Sequence, residues 1–252
     1  MKTTFIVTSA LITKIGIYDL TSRLQQTHQT LDSIYQHFPD AQVMIVDGGE
    51  PGLKTIQHPL LESLKNRVGA FLDLSDDEQI QHLHSIEIGH QREMGGVSGL
   101  IKSMAEMTIF QQALILINEH EKLQPMRDVD RIFKVSGRYQ LSPLFDAHAY
   151  DLAQDRYVFK ERTASWIPNA KEVVGTDYCY QSRIWSMDRS LLEHTIDKYN
   201  DMMQDLQQLA DANHYIDIEH LLYKHLGPER SMELQYVHFM GTIAPNGTMI
   251  YD

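Results

Sequence analysis

At 252 residues the chain is long enough for one large α/β domain or two small ones, and 42% hydrophobic with 22% charged residues places it in the globular class. Its 22 Lys and Arg against 34 Asp and Glu leave a net charge of −12 with neutral histidines, which argues against indiscriminate binding to DNA or anionic membrane. A single cysteine, Cys179, excludes an intramolecular disulfide and a cysteine-based zinc cluster, and it suits a reducing cytoplasm, the compartment we expect.

No uninterrupted apolar run approaches the roughly 18–20 residues of a membrane span, so no transmembrane segment is expected. The opening Met1–Ser9 is broken by Thr3, Thr4 and Thr8, and reads as a first strand over Thr4–Ser9 rather than a leader. Leu20, Leu24, Thr27, Leu31, Ile34 and Phe38 recur at spacings of three and four, which predicts a helix over Asp19–Phe38. Pro39-Asp40 ends it, and Gln42–Val46 is a short strand that stops at Asp47-Gly48-Gly49. Strand, helix, strand with a polar turn after each strand is how a parallel nucleotide-binding sheet begins, with ligands at the strands' carboxyl ends.

Further along, Val68–Leu74 reads as a strand and the polar, histidine-rich 76–96 as a loop or irregular helix. A strong helix is expected over Val97–His120, and a strand over Arg131–Ser136 that stops at Gly137. Tyr157–Lys160 and Gln181–Met187 look like strands, Ser190–Ala212 and Tyr215–Leu226 like helices, and Leu234–Met240 like a closing strand before a turn-rich tail. No repeat, low-complexity tract or linker interrupts the chain. One domain is therefore expected, with a nucleotide-binding half over about 1–140 and an acceptor half over about 141–252.

Chemistry concentrates at Lys134-Val135-Ser136-Gly137-Arg138-Tyr139. Lys134 alternates with apolar neighbours, Gly137 allows close backbone approach or a sharp turn, Arg138 offers a planar fork for phosphate oxygens, and Tyr139 can stack on a base or sugar. Two readings stand: a diphosphate site, or an arginine–carboxylate pair under a turn. The run resembles the K-x-S/T-G-R-Y segment of a group of bacterial and viral glycosyltransferases. Other stretches resemble the same group in order: Arg23-Leu24-x-Gln26-Thr27-x-x-Thr30-Leu31-x-Ser33-Ile34, Lys102-Ser103-x-x-Glu106, Ile218-Glu219-His220 and Gly241–Gly247.

The resemblance implies a glycosyltransferase-A-like fold, a Rossmann-type mixed, mostly parallel sheet flanked by helices. It also implies a nucleotide-sugar donor, UDP-linked in the first instance, and a hydroxyl acceptor on a surface glycan or lipid-linked sugar. Most enzymes of that fold hold a divalent metal through an Asp-x-Asp at the end of a central strand. Asp128-Val129-Asp130 has the letters but precedes its strand, and reads more readily as a solvated turn than as a metal site. We expect no essential metal, although Mn or Mg is compatible with the fold, and place Arg138 and Lys134 on the diphosphate in its stead.

Around that centre, Ser9 and Asp47 end the first two strands, where they suit a nucleotide or a turn cap. Arg23 and Lys102 are further donor contacts, with Glu106 four residues on from Lys102 as its partner. Ser136, Gly137 and Tyr139 complete the donor set. Glu219 is the candidate general base, since an inverting transfer needs a carboxylate to deprotonate the acceptor hydroxyl and partial burial would raise its pKa. Asp217 and His220 compete for that role.

His82, His84 and His90 lack a metal-binding spacing. Trp166 and Trp185 are sugar-stacking candidates that read more simply as core, and Met202 and Met203 read as core. Two other function classes remain. One is transfer to a hydroxymethylated base in phage DNA, for which Lys160, Arg162, Lys171 and Arg183 are the only loose basic cluster. The other is a nucleotide-sugar-binding module without catalysis. A Gly-x-Gly-x-x-Gly run and a Walker-type Gly-Lys-Ser/Thr are both missing, which weakens nicotinamide and P-loop readings.

Overall fold

The structure, a computed structural model, describes residues 1–13, 17–85, 97–212, 214–243 and 247–252. The first half of the chain runs β1 (Thr3–Ser9), α1 (Leu20–His37), β2 (Gln42–Asp47), α2 (Pro59–Asn66), β3 (Ala70–Asp73), α3 (Glu78–Ser85), α4 (Val97–Glu119), α5 (Gln124–Arg127), β4 (Arg131–Ser136) and β5 (Tyr139–Leu141). The second half runs α6 (His148–Asp151), β6 (Tyr157–Lys160), β7 (Thr163–Ala164), α7 (Ala170–Val173), β8 (Tyr178–Cys179), β9 (Ile184–Asp188), α8 (Leu192–Asp211), α9 (Ile218–Leu226), β10 (Ser231–Leu234), β11 (Phe239–Thr242) and β12 (Met249–Tyr251).

The main sheet has seven strands in the order β10-β6-β9-β4-β1-β2-β3. All of its pairings are parallel except those of β9, which runs against both β4 and β6. A three-stranded antiparallel sheet, β12-β11-β5, stands beside it. Because side chains alternate along a strand, each strand feeds two cores. Phe5, Val7, Phe133 and Val135 face α1, while Ile6, Met44, Val46 and Ile132 face the layer built by α3, α4, α8 and α9. The mixed, mostly parallel sheet between two helical layers is the architecture the sequence predicts.

Individual elements explain themselves. Helix α1 starts where the Asp19 carboxylate accepts the Ser22 N–H, and Leu24, Leu31 and Ile34 form its buried stripe. In α4 the stretch Leu100–Glu119 is long and apolar enough to cross a membrane. Here it is a core helix, with Met107, Phe110, Ala113, Leu114 and Ile117 buried against the sheet and α8. The absence of a contiguous apolar run was thus an incomplete description of this segment.

Two expectations change. The region 76–96 contains the regular helix α3, capped by Asp77, and its residues 86–96, with His90, lie outside the described residues. The expected strand Leu234–Met240 is two strands, β10 and β11, in different sheets, separated by a turn in which His238 takes a φ of 53°. Of the expected closing turn, Ala244, Pro245 and Asn246 lie outside the described residues.

The α1 face is held by an aromatic cluster. The Phe133 ring stacks on Phe5 at 4.6 Å and meets Tyr150 at 5.1 Å and Phe38 at 5.6 Å. Phe133 is fully buried at the middle of the central strand. Replacement by alanine removes a whole ring from a closed space, so Phe133→Ala is expected to lower unfolding free energy by about 3–5 kcal/mol in urea denaturation.

Candidate functional site

The order β4-β1-β2 means that the chain leaves β1 toward β2 on one side and returns as β4 on the other. Such a switch opens a crevice at the strands' carboxyl ends. The register places Thr8 beside Ser136 and Ser9 beside Asp47, so the ends of β1, β2 and β4 lie level. A cleft opens there, lined by Thr8, Ser9, Ala10, Leu11, Arg23, Gln26, Thr27, Gly137 and Arg138.

The floor is rigid for identifiable reasons. The Gly137 N–H donates to the Thr8 carbonyl at 2.8 Å, and a Cβ on Gly137 would stand 3.3 Å from that oxygen. The Thr27 hydroxyl lies 3.1 Å from the Gly137 carbonyl and 2.9 Å from that of Arg23, which ties α1 to the end of β4. Asp47 is fully buried and its oxygens accept from the Ser9 hydroxyl at 2.6 Å, the Leu11 N–H at 2.8 Å and the Gly49 N–H at 3.1 Å. Burial pushes its pKa up against those bonds. Asp47 and Ser9 therefore build the loop after β1, and the turn-organising alternative describes them better than direct nucleotide contact.

The walls carry cations whose buried Nε donors find no partner among the described residues. Arg23 is buried, its Nε has no partner among the described residues, and the same holds for Nε of Arg138 and Oε1 of Gln26. Burial first, and then repulsion from Arg138, lowers the Arg23 pKa, with Asp47 opposing. Lys102 is lowered in the same way, by desolvation and then by Arg138 and Arg23. Three cations that sense one another across a crevice, two of them with unspent buried donors, form a site prepared for an anion.

Lys134 stands apart from them. Its side chain turns to the α4 face, where the ammonium is buried and donates to the Glu106 carboxylate, to Ser136 Oγ at 2.9 Å and to the Ser182 carbonyl at 2.6 Å. All its protons are used, so the expected Lys134–diphosphate contact is replaced by a structural one, and Ser136 is occupied with it. Glu106 consequently pairs with Lys134 and not with Lys102.

Tyr139 is also corrected. It is buried, its ring packs edge-on to Phe239, and its hydroxyl accepts from Arg183 Nε at 3.1 Å. The guanidinium groups of Arg138 and Arg183 lie over its ring at 5.3 and 5.7 Å. Tyr139 thus supports arginines and does not stack on a ligand. Gly241 makes room for it, because a Cβ there would meet the Arg138 carbonyl oxygen at 2.5 Å.

Glu219 lies in the first turn of α9, whose N-cap is Asp217. Ser103 on α4 receives the Ile218 N–H at 3.2 Å, which fixes the start of α9 against α4. The Ser182 hydroxyl donates to Glu219 Oε1 at 2.6 Å, and the Ser182 carbonyl takes a proton of Lys134. A continuous chain of contacts thus joins Glu219 to the end of β4. Burial, and next the charge of Asp217, push the Glu219 pKa up to about 7, against the bond from Ser182. Ser182 was invisible in the sequence, since an isolated serine in a strand entry carries no pattern. His220 is fully buried between Asp217 and Ser165, at 2.5 and 2.8 Å, and is held as a structural group.

The remaining candidates separate from the cleft. Asp128 and Asp130 lie at the start of β4, the opposite end of the sheet, where Asp130 accepts the Lys2 N–H at 2.7 Å. His84 meets Glu50 at 3.3 Å, and among the described residues no group of histidines, cysteines and carboxylates has metal-binding geometry. The donor set of the cleft is cationic and does not fit a divalent metal. Of the loose basic cluster, Lys160 pairs with Asp252, Arg162 lies 3.3 Å from Glu233 and Arg183 is engaged with Tyr139, while Lys171 is exposed, so three of its four cations are committed to partners within the fold.

No protein-family model matches the chain, and no curated protein matches it. Its fold is similar to that of the galactosyltransferase LgtC crystallised with donor and acceptor sugar analogs, at 11% identity and a TM-score of 0.51, over 92% of this chain and 73% of that one. It is similar to core-mannan synthase A (CmsA/Ktr4) from Aspergillus fumigatus in a Mn/GDP form, at 8% identity and a TM-score of 0.53, over 93% and 73%. The mannosyltransferase Ktr4p from S. cerevisiae aligns at 10% identity and a TM-score of 0.50, over 90% of this chain and 65% of that one. The chain has a glycosyltransferase-A-like fold.

Proposed function

We propose that the protein transfers a glycosyl group from a nucleoside-diphosphate sugar, UDP-linked in the first instance, to a hydroxyl of a glycan or lipid-linked sugar. The observation that carries this reading is the pair of buried, unpartnered guanidinium donors, Arg23 Nε and Arg138 Nε, at the sheet's switch-point crevice. A diphosphate supplies the acceptors they lack, and Lys102, which feels the charges of both arginines, adds a further positive charge nearby. The fold likeness to glycosyltransferases supports it.

In the proposed reaction the acceptor oxygen bonds to the anomeric carbon as that carbon's bond to the phosphate oxygen breaks. The acceptor proton goes to Glu219, and the electron pair leaves with the diphosphate between Arg23 and Arg138. Fixed cations stabilise charge that develops on the leaving group, the role a divalent metal fills in other sites. Turnover is therefore expected to survive EDTA. Loss on chelation that Mn or Mg restores would overturn the cationic leaving-group site.

UDP and UDP-sugars are expected to raise the melting temperature of the wild-type protein, with stabilisation of about 2.7 kcal/mol when ligand exceeds its Kd a hundredfold. In Arg138→Ala that shift should vanish, and kcat/KM should fall about 10²–10³-fold. An undiminished shift in Arg138→Ala would sink the assignment.

Glu219 gives two further readouts. As a base it must be ionised, so kcat/KM should fall as pH drops below about 7, and Glu219→Gln should abolish the ionising limb with the activity. Stability has the opposite sign. With its folded pKa raised above the unfolded value, the group contributes stability below the ordinary carboxylate range and loses it as pH rises through about 7. Glu219→Gln should therefore melt at the wild-type temperature near pH 4 and above it at pH 8; an equal Tm at pH 8 would show that the carboxylate is not raised.

A further inference from the structure

The two tryptophans have opposite environments. Trp185 is 1% exposed in the core, whereas Trp166 is 63% exposed on the connection between β7 and α7. Leaving a large apolar ring in water costs free energy, and this one is held by contacts with its neighbours. Its ring meets Tyr215 at 5.3 Å and the edge of His220 at 6.1 Å.

The backbone beneath it is pinned as well. The Ser165 N–H donates to the Asp177 carbonyl at 2.7 Å, and the Ser165 hydroxyl lies 2.8 Å from His220 Nε2. In the neutral ring Nδ1 donates to Asp217 Oδ1 at 2.5 Å, and Nε2 accepts from Ser165. Asp217 caps α9, so the indole is fixed to the same helix turn that carries Glu219. Burial first, and then the charges of Asp217 and Glu219, push the Tyr215 pKa up.

We propose that Trp166 and Tyr215 form the stacking platform for the acceptor, and that the acceptor unit placed there is a neutral hexopyranose ring with a hydroxyl directed toward Glu219. The inference rests on the glycosyl-transfer reading and deepens it by naming the acceptor class. A pyranose offers an axial C–H face to an indole and a rim of hydroxyls to carboxylates and tyrosine, which matches an apolar plate beside acidic groups. A nucleic-acid backbone is disfavoured, since Asp217 and Glu219 would face its phosphates. The Ser165–His220–Asp217 chain is a positioning device for Trp166.

The test uses the full chain saturated with UDP, with lactose, cellobiose and maltose as probes, read by tryptophan fluorescence and by saturation-transfer NMR. At least one disaccharide should bind with saturation transfer to the C–H face of a ring. Trp166→Ala should weaken it at least tenfold, Trp166→Phe should retain most of the affinity, and neither should alter the UDP-induced shift in melting temperature. The exposure of Trp166 makes both variants foldable. Sugar affinity unchanged in Trp166→Ala overturns the platform, as does failure of all the disaccharides to bind protein that binds UDP. So does Trp166-dependent binding of a hydroxymethylcytosine duplex in their place. If sugars bind through Trp166 while UDP does not bind at all, the donor reading falls and the platform stands.

Discussion

A buried ammonium group must meet acceptors or give up its charge, and Lys134 meets them on three sides. Its partners come from α4, from β4 itself and from the segment before β9. One cation therefore sets the distance between the central strand, the long helix behind it and the antiparallel strand beside it. Ser182 extends the arrangement, because its carbonyl serves Lys134 while its hydroxyl serves Glu219. Removing Lys134 would leave Glu106 and the Ser182 carbonyl without their donor, which is why the position of Glu219 depends on a residue that touches no substrate.

Against that saturated cation, the arginines of the cleft are distinguished by what they lack. Arg23 feels the charge of Arg138 in the same crevice, and Asp47, which opposes it, has its oxygens committed to Ser9, Leu11 and Gly49. The fold could have placed a carboxylate at the end of β4, as an Asp-x-Asp would; it has Gly137-Arg138 there, and Tyr139 beneath to hold the guanidinium. A protein of net charge −12 thus keeps a positive crevice by pairing its other cations elsewhere. Lys160 with Asp252, Arg67 with Asp32 and Lys224 with Asp205 are examples.

Periodicity made much of the fold legible. The strands at Arg131–Ser136 and Tyr157–Lys160 have the bounds their alternation predicts, and α1 and α4 differ from their stripes only at the ends. Where prediction failed, long-range competition decided. The Lys102–Glu106 spacing is right for a helical pair worth a few tenths of a kcal/mol, but an unpaired buried Lys134 would cost several, so Glu106 turns inward. Alternation showed that Lys134 puts a cation on one face of β4, though not that this face is covered by α4. Trp166 and Trp185 were likewise indistinguishable, since only tertiary packing separates an indole between strands from one on a pinned loop. The split of Leu234–Met240 turns on His238 in a left-handed conformation, for which a histidine carries no strong signal.

The proposed chemistry follows from two deficits. The cleft has positive charge and buried donors that lack acceptors among the described residues, and Glu219, linked through Ser182 and Lys134 to β4, is a carboxylate whose burial and acidic neighbour favour a proton it does not hold at high pH. Each arrangement costs stability, through like-charge repulsion on one side and desolvation on the other. A nucleoside-diphosphate sugar brings the missing anion, and an acceptor hydroxyl brings the missing proton. Transfer then increases both forms of relief at once, because the diphosphate gains charge as it departs and Glu219 gains its proton as the new bond forms. Interactions that strengthen toward the transition state are those that accelerate a reaction, and in the proposed mechanism fixed cations and a buried carboxylate are of that kind.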